Sequence, residues 1–171
     1  GSKDARYANW VKGMVEAVDI TPNPKKGVAA GDIYNLRFGF QTFDCILTTE
    51  VFEYLENPEK ALSEIYRVLK PGGLLVISAP LVYRVHEDLV RYTENFWRKL
   101  LLDFLNVEIF GIGNSYTIIL DILREKIVKF RNRFLRYILY LPFTFLTFLI
   151  PLSLKFSKDK NFVSGYLIIA K

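Results

Sequence analysis

The sequence predicts an α/β domain in which helices cover a mostly parallel sheet. Three segments between residues 39 and 80 carry this prediction: the apolar run Phe43–Thr49, a stretch from 58 to 69 with apolar side chains at helical spacing, and a second apolar run at 74–80. Together they form one parallel βαβ crossover, which is typical of open sheets whose ligands bind beyond the carboxyl ends of the strands. We therefore expect the functional site just after the strands.

The residues that flank the helix predict its ends. Asn57 can accept a hydrogen bond from the first turn, and Pro58 has a φ angle preset for the first helical position. Pro71 prevents the helix from continuing, and Gly72 with Gly73 permits the positive φ of a reversal. We expect a helix that begins at Pro58 and a tight turn that leads into the next strand.

Two acidic residues follow earlier strands. Residues 15–20 predict a short strand that ends in Asp19 and Ile20, and Asp32 with Ile33 lies in a second acidic loop. An acidic residue at a strand end can accept hydrogen bonds from ribose hydroxyls, and the second one suits an exocyclic amine. Asp is also a common turn former at strand ends. In combination with the crossover, the two residues predict a nucleotide-type cofactor site.

The order of these segments resembles the class I S-adenosylmethionine-dependent methyltransferases, in particular their type 11 branch. The resemblance covers residues 1 to about 113 and the last strand, and it implies a three-layer Rossmann-like methyltransferase sheet. It also implies an enzyme that transfers a methyl group from S-adenosylmethionine to a small-molecule or lipid-linked acceptor. The residues that carry it are Asp19, Gly31-Asp32-Ile33, Phe43-Asp44-Cys45-Ile46, Glu50-Val51-Phe52-Glu53-Tyr54-Leu55 and Leu69-Lys70-Pro71-Gly72-Gly73.

The resemblance assigns roles to individual residues. It implies that Asp19 binds the cofactor ribose and that Asp32 lies beside the adenine. The methionine end of the cofactor would lie against the loop that follows the strand starting at Phe43. The implied cofactor residues are Gly1, Asp19, Ile20, Asp32, Ile33, Thr49, Glu50 and Val51.

The amino-terminal segment departs from the family pattern. A Gly-x-Gly-x-Gly loop is usual there, and this chain has Lys3 and Ala5 at the second and third glycine positions. The strand that should precede Gly1 is not in the sequence. A truncated chain, a strand supplied by another chain and a degenerate relative are three open explanations. The alternative function is accordingly a catalytically inactive, methyltransferase-like binding or scaffold protein.

The segment after residue 80 is rich in titratable groups. It should border the ligand crevice because it follows a strand, and it contains the only histidine, His86. A histidine has an ordinary pKa near 6.5 and can act as a general base toward a hydroxyl or amine acceptor. A loop held together by polar contacts is the alternative, and one histidine without a spaced partner predicts no metal site. The predicted substrate-side residues are His86, Glu87, Arg91 and Tyr92.

The remainder of the chain predicts two more strands and an insertion. Residues 106–113 alternate like a sixth family strand, and residues 162–170 predict a seventh, antiparallel edge strand. We therefore divide the chain into a Rossmann-like domain of residues 1–113 and 161–171 and a helical insertion of residues 114–160.

The insertion is basic and apolar. Residues 137–154 contain no charge, but Pro142 and Pro151 should divide this stretch into pieces too short to span a bilayer. A single crossing would also separate the last strand from its sheet. A lid over the sheet, a dimer surface and a helical hairpin lying on anionic lipid are the open alternatives.

Charge and cysteine content restrict the partners and the compartment. The net charge is +5, and residues 121–171 hold ten Lys or Arg against three Asp or Glu, which disfavours a nucleic-acid groove over the α/β body. The single Cys45 lies in a predicted buried strand and predicts a reducing compartment. The first six residues show no apolar signal segment. We expect a cytoplasmic protein, located at the inner membrane surface if the insertion docks on lipid.

Overall fold

A computed structural model describes residues 5, 7, 11–82, 88–156 and 162–171, without the side chains of 154–156. The described residues form two compact units, one within residues 1–79, 86–109 and 167–171 and the other within 80–85 and 110–166. The domain boundaries stated above stay a prediction. The elements are β1 Ala17–Asp19, β2 Val28–Ala30, β3 Phe43–Thr49, α1 Pro58–Val68, β4 Leu69–Pro80, α2 Glu94–Leu100, β5 Val107–Ile112, α3 Ser115–Val128, α4 Arg133–Thr147, α5 Ile150–Phe156 and β6 Gly165–Ala170.

The first two strands form a parallel pair. Ala17 lies opposite Val28 and Asp19 lies opposite Ala30, so both strands end at the same edge. A 3₁₀ turn, Pro24–Lys26, connects them. The predicted strand 15–20 is thus present but shorter.

The predicted βαβ crossover is confirmed. Strand β3 pairs with β4 in parallel, and α1 lies between them in sequence. The helix begins at Pro58, and Asn57 Oδ1 accepts a hydrogen bond from Lys60 N–H at 2.9 Å. Its apolar face is buried, as the helical spacing predicted, at Ala61, Leu62, Ile65 and Val68.

The predicted turn between α1 and the second strand is a bulge at the start of β4. Phe43 lies opposite Leu69 and Cys45 lies opposite Leu74, so residues 70–73 bulge out of the ladder. Gly72 has a φ of +72°. A Cβ on Gly73 would lie 2.8 Å from the Lys70 carbonyl oxygen, so the backbone folds too closely for a side chain.

The four-stranded sheet has the order β3-β4-β6-β5. The last strand is antiparallel to β5, because Asn106 and Lys171 exchange backbone hydrogen bonds of 3.0 and 2.9 Å and Ser164 N–H donates to Ile112 C=O at 2.8 Å. The prediction of an antiparallel last strand is confirmed, but its edge position is wrong. Pairing on both sides places β6 between β4 and β5.

The prediction that Cys45 is buried is also wrong. Cys45 is exposed, as are Asp44 and Leu47 on the same strand. In the described sheet β3 pairs only with β4, so it is an edge strand. The apolar run therefore predicted the strand correctly, but its prediction that Cys45 is buried was wrong.

The second unit contains helices α3, α4 and α5. Helix α3 contacts both α4 and α5. Pro142 lies inside α4 and does not divide it as expected, whereas Pro151 lies in the first turn of α5. Within the described part of the chain, no helix combines the length and apolarity that a bilayer crossing requires.

Candidate functional site at the carboxyl ends of β1, β2 and β3

Asp19 ends β1 and is buried, with 8% of its surface exposed. Its Oδ1 accepts a hydrogen bond from Thr21 N–H at 2.9 Å. Its backbone carbonyl accepts from Gly31 N–H at 3.0 Å, which places the loop after β2 directly beside it. A carboxylate offers about four lone-pair positions, so one bond from Thr21 leaves capacity for ribose hydroxyls.

The loop after β2 passes close to β1 and carries Asp32. A Cβ on Gly31 would lie 2.8 Å from Val18 Cβ, so this position requires a residue without a side chain. Asp32 is exposed; its Oδ1 accepts from Tyr34 N–H at 2.9 Å and its carbonyl accepts from Asn35 N–H at 3.0 Å. Asp32 therefore forms a turn and also presents an acidic group at the same edge as Asp19.

Two charged residues of α1 hold the loop that follows. Glu64 Oε1 accepts from Leu36 N–H at 2.8 Å, and the Arg67 guanidinium donates to the Leu36 and Phe38 carbonyls at 3.0 Å each. Arg67 and Glu64 also pair at 2.7 Å, and the hydrogen bond from Arg67 lowers the pKa of Glu64. The position of the acidic loop thus depends on the helix of the crossover.

Thr49, Glu50 and Val51 lie where β3 ends. Thr49 is opposite Ser78 of β4. Glu50 has a φ of +52°, its N–H donates to Ser78 C=O at 2.9 Å, and its Oε1 accepts from the Ser78 hydroxyl at 2.9 Å. A positive φ at a residue other than glycine is uncommon and often marks a functional loop. The carboxyl ends of β3 and β4 are therefore joined at Glu50.

Glu53 is a functional candidate that sequence reasoning did not identify. It lies in the 3₁₀ turn Phe52–Tyr54 and is only 3% exposed, and its Oε2 has no hydrogen-bond partner among the described residues. Burial, helped by the nearby Glu50 and Asp88 carboxylates and opposed by Arg91, raises its pKa to about 7. A carboxyl group that titrates near neutral pH can take up or release a proton.

Glu53 also anchors the segment that contains the predicted substrate residues. Its carbonyl accepts from Leu89 N–H at 2.8 Å and from Val90 N–H at 3.2 Å. In the same segment Arg91 Nε donates to Asp88 Oδ2 at 2.5 Å. The backbone from 88 to 91 is therefore fixed to the loop that follows β3.

Tyr92 lies in the core of the first unit. It is 6% exposed, stacks on Phe96 with ring centroids 4.5 Å apart, and meets Trp97 edge-on at 5.3 Å. Burial raises the pKa of its hydroxyl. A substrate role for Arg91 and Tyr92 stays a prediction, and the observed contacts show what holds Tyr92 in place.

Several predicted residues lie outside the described part of the chain, namely Gly1, His86 and Glu87. Ala5, at the third glycine position of the loop, is described and has a φ of +48°. This conformation favours glycine, so Ala5 has a strained backbone at a position where the family pattern has a glycine. Among the described residues no group of three or more His, Cys, Asp or Glu could hold a metal ion.

Comparison with known proteins finds similarity to methyltransferases. Residues 4–77 match a family described as a methyltransferase domain. A ubiquinone/menaquinone biosynthesis C-methyltransferase of Methylococcus capsulatus is 30% identical over 93 residues, which are 54% of this chain and 37% of the relative. A carnosine N-methyltransferase of Rattus norvegicus is 25% identical over 132 residues, 75% of this chain and 31% of the relative. The chain thus spans about a third of the length of these relatives.

Comparison with solved structures also finds a methyltransferase. The phosphoethanolamine N-methyltransferase 2 of Haemonchus contortus, solved with S-adenosylmethionine, has a TM-score of 0.51 and 18% identity over 84% of this chain and 36% of that one. The chain shares the fold of that methyltransferase. Residues 4–77, which the order of the motifs predicted to resemble the type 11 branch, match the model of that methyltransferase family. The predicted α/β fold class is confirmed, and the predicted resemblance to the type 11 methyltransferases is supported over residues 4–77.

Proposed function

We propose that this protein transfers a methyl group from S-adenosylmethionine to a small-molecule or lipid-linked acceptor. One observation carries the proposal: Asp19 and Asp32 stand at the carboxyl ends of adjacent parallel strands, inside the segment that matches the family. Ligands of open α/β sheets bind at this edge.

The described residues fit this cofactor. The buried Asp19 carboxylate would accept from the ribose hydroxyls, and the exposed Asp32 would accept from the adenine amine. The loop 49–51 would line the methionine end of the cofactor. The backbone of the loop that starts at Gly1 would approach the cofactor closely. When bound, the cofactor supplies an electrophilic methyl group, and the protein orients the acceptor toward it.

The names of the relatives support a small acceptor. They are methyltransferases named for carnosine, quinone precursors and norajmaline. We place the acceptor beside His86, Glu87, Arg91 and Tyr92. If the acceptor must lose a proton, His86 is the predicted base, and Glu53 is a second group whose raised pKa suits that task.

Calorimetric titration with S-adenosylmethionine and with S-adenosylhomocysteine tests the cofactor site. Asp19→Asn keeps an oxygen that can accept from Thr21 but removes the charge, so we expect about 10- to 100-fold weaker binding. Asp103→Asn removes an exposed charge beside the cavity at the amino end of β4 and should leave binding unchanged. Absence of heat at millimolar ligand would overturn the proposal, and equal losses in both variants would contradict the role of Asp19.

Lys3 and Ala5 favour a second candidate, a binding or scaffold protein that keeps the fold without turnover. Release of S-adenosylhomocysteine during incubation with carnosine or a demethylated quinone separates the two. Cofactor binding without turnover on any acceptor, in protein whose fold is verified, would favour the scaffold. We propose a cytoplasmic location for either form and a homodimer as a candidate assembly.

A further inference from the structure

Helix α4 has two apolar faces, and only one of them is covered. Phe143 is 7% exposed on the inner face, and Tyr116 of α3 donates its hydroxyl to the Leu146 carbonyl at 2.7 Å. The opposite face carries six large apolar side chains that are between 46% and 77% exposed. We call them the outer stripe: Phe134, Tyr137, Ile138, Leu141, Phe145 and Phe148.

The outer stripe is continuous along the helix. Its members recur at steps of three and four residues, which places them on one side of an α-helix. From Phe134 to Phe148 the stripe is about 21 Å long, given a rise of 1.5 Å per residue. A continuous exposed apolar patch of this kind is typical of an interaction surface.

The segment that carries the outer stripe holds charges of one sign. Residues 126–156 contain six Lys or Arg and no Asp or Glu. The junction between α3 and α4 carries the exposed basic residues Lys126, Arg131 and Arg133. Lys129 is exposed too and pairs with Glu125 at 3.4 Å. The surface therefore combines an apolar stripe with a positive end.

We propose that the outer stripe docks on an anionic lipid surface, with the basic residues at its amino end against the headgroups. Three of the six side chains are phenylalanine and one is tyrosine, which suit the boundary between headgroups and acyl chains. A second copy of this chain would bring the same positive sign to the contact, so charge complementarity favours lipid over self-association. The proposal is independent of the cofactor site.

Co-sedimentation with phosphatidylcholine vesicles that contain about 30% phosphatidylserine tests the proposal, with pure phosphatidylcholine as the comparison. We expect binding to the anionic vesicles only. The combined change Phe134→Gln, Leu141→Gln and Phe145→Gln should weaken it more than about tenfold. The matched control, Leu102→Gln with Leu105→Gln, removes comparably exposed apolar side chains from the other unit and should leave it unchanged.

Substitutions of basic residues test whether vesicle binding requires their positive charge. Arg131→Gln with Arg133→Gln should weaken binding about thirtyfold, since each cation near such a surface contributes about 1 kcal/mol. Lys25→Gln with Lys26→Gln removes equal charge from the other unit and should have no effect. Raising the salt from about 0.1 M to about 0.5 M should release the protein.

A conservative substitution tests the proposal if the glutamine variants do not fold. Phe145→Trp keeps an aromatic ring in the outer stripe, and its fluorescence should shift to the blue with anionic vesicles. No sedimentation with either vesicle, or equal binding to both, would overturn the proposal. A dimer in ultracentrifugation that the glutamine changes dissociate, without vesicle binding, would assign the stripe to self-association instead.

Discussion

Glu53 provides a direct test of the electrostatics of the candidate site. The change Glu53→Gln keeps the size and shape of the side chain and removes its titration. Oε2 of Glu53 lacks a hydrogen-bond partner in the described structure, so the charged form has little to compensate for its burial. We expect the variant to be more stable than the wild type at alkaline pH.

The size of the effect follows from the pKa. Burial is the main cause of the rise from the ordinary value of 4.5 to about 7, with Glu50 and Asp88 adding to it and Arg91 opposing it. This shift corresponds to about 3 kcal/mol. The folded protein holds the proton more strongly than the unfolded chain, so stability is fully present below pH 4.5 and is lost as the pH rises through about 7.

Urea denaturation at several pH values between about 4.5 and 8, followed by the fluorescence of Trp97, measures this dependence. Trp97 is buried and meets Phe52, the residue before Glu53, edge-on at 5.3 Å. The difference in unfolding free energy between Glu53→Gln and wild type should rise from near zero at pH 4.5 to about 3 kcal/mol at pH 8. Glu56→Gln, at an exposed position, is the control. A constant difference, or a variant less stable at pH 8, would refute the reasoning.

Three further changes test the parts that position the site. Gly31→Ala places a Cβ 2.8 Å from the facing strand and should cost about 1–3 kcal/mol in urea denaturation, whereas Gly39→Ala meets only ordinary contact at 3.6 Å and should be nearly neutral. Arg67→Gln removes the hydrogen bonds to the loop after β2 and should lower the unfolding free energy by about 1–3 kcal/mol. The control Arg98→Gln breaks an exposed ion pair and should lower it by less than about 0.5 kcal/mol. Ala5→Gly relieves the strain of a φ of +48° in the folded protein and should raise its stability in urea denaturation by up to about 1 kcal/mol, and a less stable variant would contradict this.

The sequence predicted the βαβ crossover because its signals are local. Asn57 and Pro58 start a helix through their own backbone preferences, and the Pro71-Gly72 pair ends it wherever the segment lies in the fold. The position of β6 is not a local property. Whether a strand is central or at an edge depends on which strands pair with it, and the same holds for the exposure of Cys45 on β3.

The same distinction explains why Glu53 and the outer stripe needed the structure. Glu53 follows an apolar residue in a loop, and its burial depends on a segment 36 residues later whose backbone bonds to its carbonyl at Leu89. On α4 apolar residues occupy two faces, so periodicity cannot tell the covered face from the free one. The packing of α3 against α4 decides it, because Tyr116 of α3 bonds to the Leu146 carbonyl and Phe143 is buried, whereas the opposite side is exposed. A carboxyl that titrates near neutral pH and a free aromatic stripe are therefore consequences of long-range packing, and each is open to a separate measurement.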